Sequence, residues 1–212
     1  MQNMKENLKD IAIDLFYKKG YFATGVSEIA KKAGIQKSSI YYHFPSKQGI
    51  LFDILQTTQA ALNANLQKHL EGLTGAEERM RAAVRSHTIF HLDWQKEVII
   101  SDSELRGLTG ENYQTIIKMR DAYEQKFQAL IKQGMDEGIF TNADYKIVSY
   151  AVITMCTAVC WWYRPEGRLG KEAIAEIYVE FTLRGLKGRE FHGKGILDKQ
   201  RKEVLGLRTK GR

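Results

Sequence analysis

Proline occurs only twice in this chain, at Pro45 and Pro165, so long helical stretches can run without a built-in breaker. Cysteine is equally scarce. Cys156 and Cys160 stand four apart in an apolar run, which excludes a disulfide framework. On one face of a buried helix they read as core thiols; a redox or metal role would need neighbouring ligands that the sequence does not supply. No segment reaches 18 uninterrupted apolar residues, so no membrane span is expected. The first residues enter an amphipathic pattern with no apolar signal region or small-residue cleavage site, which makes a cytoplasmic protein the expectation. β-Branched runs such as Val98-Ile99-Ile100 are too short and isolated to build a sheet. Catalytic signatures are missing too: no GxSxG, no P-loop, no GxGxxG and no evident carboxylate pair. An enzyme therefore ranks last among the readings, and no catalytic residue is assigned.

What is present is helical periodicity, with 43% hydrophobic residues to build a core. Leu8, Ile11, Ala12, Leu15 and Phe16 share one face of a helix that should stop at Gly20, after Lys18 and Lys19. The same pattern predicts nine helices, at 4–19, 26–33, 37–43, 46–71, 75–94, 96–107, 111–137, 142–163 and 170–187. Thr74–Glu77 and Thr141–Asp144 have the form of capping boxes, and Thr109 can cap the helix beginning at Glu111. The fold class is all-α. The division expected is a helix-turn-helix unit at 1–48, a larger helical body at 49–187 and a basic, poorly ordered tail at 188–212.

Charge is uneven. Residues 1–50 carry +4, residues 187–212 carry +6, and the stretch between carries −3, for a total of +7. A basic small unit on a neutral body suits a partner met mainly through one end, such as nucleic acid. The basic C-terminus reads more simply as a solvated tail.

Residues 20–47, GYFATGVSEIAKKAGIQKSSIYYHFPSK, carry the functional signal. Val26, Ile29, Ala30 and Ala33 make one apolar face of a short helix, and Gly34 provides a tight turn. Ile35 fills the gap, and Ile40 and Phe44 anchor a second short helix. This is the layout of a helix-turn-helix, whose second helix enters the major groove. That helix offers Gln36, Lys37, Ser38, Ser39, Tyr41, Tyr42 and His43. Gln suits adenine edges, Lys suits guanine or phosphate, and Ser suits either. Tyr42, His43 and Lys47 stand at its end, and Thr24 and Ser27 at the start of the preceding helix, where phosphate oxygens would lie.

Over roughly residues 8–55 the chain resembles the TetR family of bacterial transcriptional regulators, through GYFATGVSEIA, KKAGIQKSSIYYHFPSK and GILFDIL. The resemblance implies a homodimer whose two recognition helices read a palindromic operator in double-stranded DNA. By position, Gln36, Lys37, Ser38 and Ser39 would meet bases, and Thr24, Tyr41, Tyr42, His43 and Lys47 the backbone. Gly25 stands where many members have Ser or Thr, and Gly49 where a capping box would have Glu or Gln.

In the body, Trp161 to Leu169, with Ser103–Leu108 and Lys118–Glu124, resembles the branch of the family that responds to coenzyme A thioesters of fatty or steroid-derived acids. A small-molecule effector of that class is expected, an acyl-CoA, with no cofactor and no metal. Such a ligand needs an apolar channel, aromatic faces and cations. Arg106, Arg120, Tyr123, Trp161, Trp162, Tyr163 and Arg164 are the candidates, with Arg168 a further cation. The competing reading makes the Trp pair dimer core and pairs the arginines with Glu104, Asp121, Glu124 or Glu166. His87 and His91 have i, i+4 metal spacing that Asp93 and Glu104 would have to complete; ordinary helix positions are the plainer reading. Dimerisation is expected through helices 142–163 and 170–187. Two rivals remain: a cationic or aromatic drug as effector, with efflux-gene regulation, and a helical lipid- or CoA-binding carrier without DNA function.

Overall fold

A computed structural model of the chain describes residues 2–188. Most of the expected tail, 189–212, lies outside the described residues.

The described residues form ten α-helices and one 3₁₀ turn, with no strand among them. Helices α1 (Gln2–Lys19), α2 (Val26–Ala33) and α3 (Lys37–His43) make the N-terminal unit. Gly20 ends α1 at φ +83 and Gly34 ends α2 at φ +70, left-handed conformations that glycine adopts without penalty. Ile29, Ile40 and Phe44 are buried, and Ile35 is partly buried beside them.

Helix α4 (Lys47–Leu70) joins two cores. Its first half gives Ile50, Leu51, Ile54 and Leu55 to the N-terminal core, and its second half gives Leu62 and Leu66 to the core of the body. Twenty-four residues make a rod of about 36 Å, so a small tilt moves one end appreciably. Ser46 caps α4 by accepting from the Gly49 amide at 3.0 Å. Gly49 supplies no side chain to return the bond, so the box is half-formed.

The body contains α5 (Ala76–Asp93), α6 (Gln95–Ser103), a 3₁₀ turn (Leu105–Gly107), α7 (Gly110–Asp136), α8 (Tyr145–Thr157), α9 (Val159–Trp162) and α10 (Lys171–Lys187). The boundary at residue 48 is not a seam. Ile100 of α6, Leu108 just after the 3₁₀ turn and Ile116 of α7 pack into the N-terminal core.

Three expected caps are used differently. Asp144, not Thr141, caps α8, accepting from the Lys146 and Ile147 amides at 3.0 and 3.2 Å. Thr141 is engaged elsewhere: its amide donates to Leu186 and its hydroxyl to Gly188 at the end of α10. Thr74 is displaced by Gly75 as the N-cap of α5, its carbonyl accepting from Gln133. Thr109 stands at the start of α7, but its hydroxyl accepts from Gln48 instead of capping. The expected 142–163 helix divides at Ala158, whose φ −61 and ψ −14 keep it nearly helical.

One stretch, Tyr145–Trp162, is long and apolar enough to cross a membrane by length and composition, although Lys146 interrupts its apolar run. Ile147, Tyr150, Trp161 and Trp162 on α8–α9, with Ile177 and Phe181 on α10, are exposed.

Candidate nucleic-acid interface and buried cavity

Helix α3 buries only Ile40. Gln36, Lys37, Ser38, Ser39, Tyr41 and Tyr42 are all exposed, Tyr42 at 71%, and His43 is half-buried. A seven-residue helix with one buried side chain has its whole outer face free for contacts. Ser27 is exposed at the first turn of α2, beside Gly25, which as N-cap offers no side-chain bond.

Two of the expected phosphate contacts point inward. Thr24 is buried, and its hydroxyl donates to the Gly20 carbonyl at 2.9 Å, closing the turn that ends α1. The Lys47 ammonium donates to the carbonyls of Tyr21 and Thr24 at 2.8 and 2.9 Å and lies over the Tyr21 ring. Burial lowers its pKa, against the raising effect of the Glu104 carboxylate. Both residues shape the helix-turn-helix from behind. A sequence motif marks such positions without saying which way the side chain points.

In the body, α4–α8 line an open hollow of about 200 Å³. Arg120 and Tyr123 line it. It also takes Thr58, Ser101, Asp102 and Thr157, none of which the sequence singled out, together with His87 and His91.

The two histidines stack with ring centres 3.9 Å apart. Burial holds both neutral: it drives His87 well below its ordinary value, with His91 adding to the effect, and brings His91 down to about 4. One proton position follows from a fixed partner. His91 Nδ1 lies 2.8 Å from the His87 carbonyl, which can only accept, so the proton is on Nδ1 and Nε2 is bare. Thr157 Oγ1 lies 3.0 Å from His87 Nε2 and 3.4 Å from His91 Nε2, and the Tyr123 hydroxyl lies 2.7 Å from His87 Nδ1. Four side chains form one uncharged hydrogen-bonded chain.

The charges nearby are partly matched. Arg120 donates to the Ser101 carbonyl at 2.7 Å and stands 3.8 Å from Asp102. Burial raises the Asp102 pKa, and Arg120 opposes it. Glu124 accepts from Gln128. The metal reading of the histidine pair does not assemble, because Asp93 pairs with Lys171 and the Glu104 carboxylate faces Gly20. Burial pushes both Cys156 and Cys160 up to about 12, which makes them poor nucleophiles and metal ligands at neutral pH.

The remaining expected ligand residues separate. Trp162, Tyr163 and Arg164 line a second hollow of about 360 Å³ beside α10. Trp161 lies outside both hollows, on the exposed apolar face. Arg106 is also outside them, its guanidinium 5.4 Å from the Phe22 ring. The 3₁₀ turn carries Arg106 toward the N-terminal unit, which sequence spacing could not reveal.

Two family models cover most of the chain. Bacterial regulatory proteins of the tetR family match residues 9–54, and the tetracyclin repressor-like C-terminal domain matches residues 74–186. The chain belongs to the TetR family. It is a DNA-binding transcriptional regulator.

The HTH-type transcriptional repressor KstR2 of Mycobacterium tuberculosis is 24% identical over 188 residues, spanning 88% of this chain and 94% of KstR2. The TetR-family regulator PfmR of Thermus thermophilus is 30% identical, with a TM-score of 0.78 over 85% of this chain and 99% of PfmR. AibR, solved with isovaleryl coenzyme A and operator DNA, is 26% identical, with a TM-score of 0.78 over 84% of this chain and 97% of AibR.

Proposed function

We propose that this TetR-family protein is a homodimeric repressor that holds a palindromic operator and releases it on binding an acyl-CoA thioester. The exposed polar face of α3 carries the DNA half of this reading. Gln36, Lys37, Ser38 and Ser39 read base edges, while Ser27, Tyr41, Tyr42 and His43 hold the backbone. The exposed apolar residues of α8–α10 support a four-helix interface with a second copy, which sets the spacing of the two α3 helices.

The cavity supports the effector half. It is lined in part by the rod α4 and by α6, whose continuation carries Leu108 into the N-terminal core. A ligand that repositions either helix changes how the two α3 helices are presented. By linkage, such a ligand binds the DNA-bound form more weakly. In this reading the acyl end enters the cavity past Arg120 and Tyr123, and the charged nucleotide end stays outside.

Asp102 and Glu124 in the cavity lining favour the second reading, a cationic drug. Anisotropy titration on a duplex from the upstream region decides between them. Acyl-CoA thioesters should dissociate the complex, whereas free CoA and a lipophilic cation should not. Dissociation by the cation alone would establish the second reading.

A further inference from the structure

Resting on the palindromic-dimer reading, we infer that Glu104 is a positioning residue for operator binding. Its buried carboxylate, set against Lys47, holds the helix-turn-helix to the end of α6 at the angle that lets two α3 helices engage together. Glu104 ends α6 and is only 8% exposed. Its Oε1 lies 3.3 Å from where a Cβ on Gly20 would stand, so the carboxylate faces the turn that closes α1. Its Oε2 is buried with no hydrogen-bond partner among the described residues. An acid in such a place is costly unless a cation balances it.

Lys47 is that cation. Its ammonium donates to the carbonyls of Tyr21 and Thr24, in the turn that Gly20 opens, and the Glu104 charge acts on it there. The two attract through space rather than through a direct hydrogen bond, and poorly solvated surroundings strengthen such an attraction. The backbone after Glu104 follows the same surface. A Cβ on Gly107 would stand 2.7 Å from the Tyr21 ring and 2.8 Å from Leu51 of α4, so the 3₁₀ turn is pressed against both.

Glu104 thus closes a three-way contact among α6, the α1–α2 turn and the start of α4. The other tie between α6 and α1, Lys96 with Asp14, is exposed on both sides and weak by comparison. Asp102 and Ser101, two and three residues before Glu104, line the hollow of the body. A displacement of that stretch carries Glu104 with it.

The test is anisotropy titration of the full-length protein on two duplexes: the palindrome from its own upstream region, and a single half-site of it in unrelated flanks. Glu104→Gln keeps the shape of the side chain and removes its charge. The inference expects about tenfold weaker binding to the palindrome, with half-site binding changed less than about twofold, because each α3 stays intact and only their relative setting is lost. Damage to the fold or to α3 itself would weaken both duplexes alike. Lys47→Met should act in the same direction. The double variant should lose no more than the larger single loss, since each change removes one half of the same contact. Equal weakening on both duplexes, no weakening on either, or losses that multiply in the double variant overturns the inference and leaves the palindromic-dimer reading standing. A wild type that binds the palindrome no tighter than the half-site overturns both.

Discussion

The ammonium of Lys47 donates to the Tyr21 carbonyl at 2.8 Å and sits 4.2 Å from the centre of the Tyr21 ring. It ties the first residue of α4 to the turn between α1 and α2, and so fixes how the helix-turn-helix sits on the rod behind it. Lys47→Ala should lower stability by about 1.5–3 kcal/mol, the scale of hydrogen bonds to a charged group. Because the ammonium does not face DNA, the slope of log affinity against log salt should stay at its wild-type value. Lys37→Ala should do the reverse, preserving stability while weakening the operator complex and relaxing base preference in both half-sites. Denaturation and salt-titrated anisotropy on both variants check the contrast.

The histidine pair makes stability fall with acid. Both folded-state values lie below the ordinary 6.5, so the unfolded chain binds protons that the folded chain refuses. Stability is complete above about pH 6.5 and declines as the pH falls toward about 4. For His91 alone the loss is about 3 kcal/mol across that window. Urea midpoints measured between pH 7.5 and 5 check it. The double variant His87→Phe, His91→Leu should flatten the curve there, whatever its absolute stability.

Much of the N-terminal unit was legible because its signals are local. Gly20 and Gly34 end helices within three or four residues of the apolar faces that they terminate. The spacing of Ile29, Ile40 and Phe44 then fixes which face of α3 is left outside. The inward bonds of Thr24 and Lys47 were not legible, because the carbonyls they satisfy come from other parts of the turn. The body followed the same rule. Thr141 has the sequence of a cap, but α10, more than forty residues later, claims it. His87 and His91 show their i, i+4 spacing in the sequence, yet their partners Tyr123 and Thr157 lie on two later helices. Directional contacts of that kind leave no periodic trace.

Packing around Gly134 leaves no room for a methyl group. A Cβ there would sit 2.0 Å from the Phe140 ring, whose residue closes the core beneath α7 and α8. Gly134→Ala should cost about 1–3 kcal/mol despite its better helix propensity. Gly25→Ala meets nothing within 4 Å and should be nearly neutral by comparison. Thermal melts of the two variants check the difference.

The exposed residues Ile177 and Phe181 of α10 belong to the proposed dimer face. Ile177→Glu with Phe181→Glu should give a folded monomer by sedimentation. Operator affinity should fall steeply, because a single α3 engages only one half-site. Circular dichroism separates loss of association from loss of fold.

The most direct test of the central claim is hydroxyl-radical footprinting of the protein on DNA from its own upstream region. Two copies of α3 should protect a palindrome as two half-sites about 34–36 Å apart on one face of the duplex. Gln36→Ala together with Lys37→Ala should erase both protections at once. A single unsymmetrical protected patch, or a footprint unchanged in the double variant, would contradict the account.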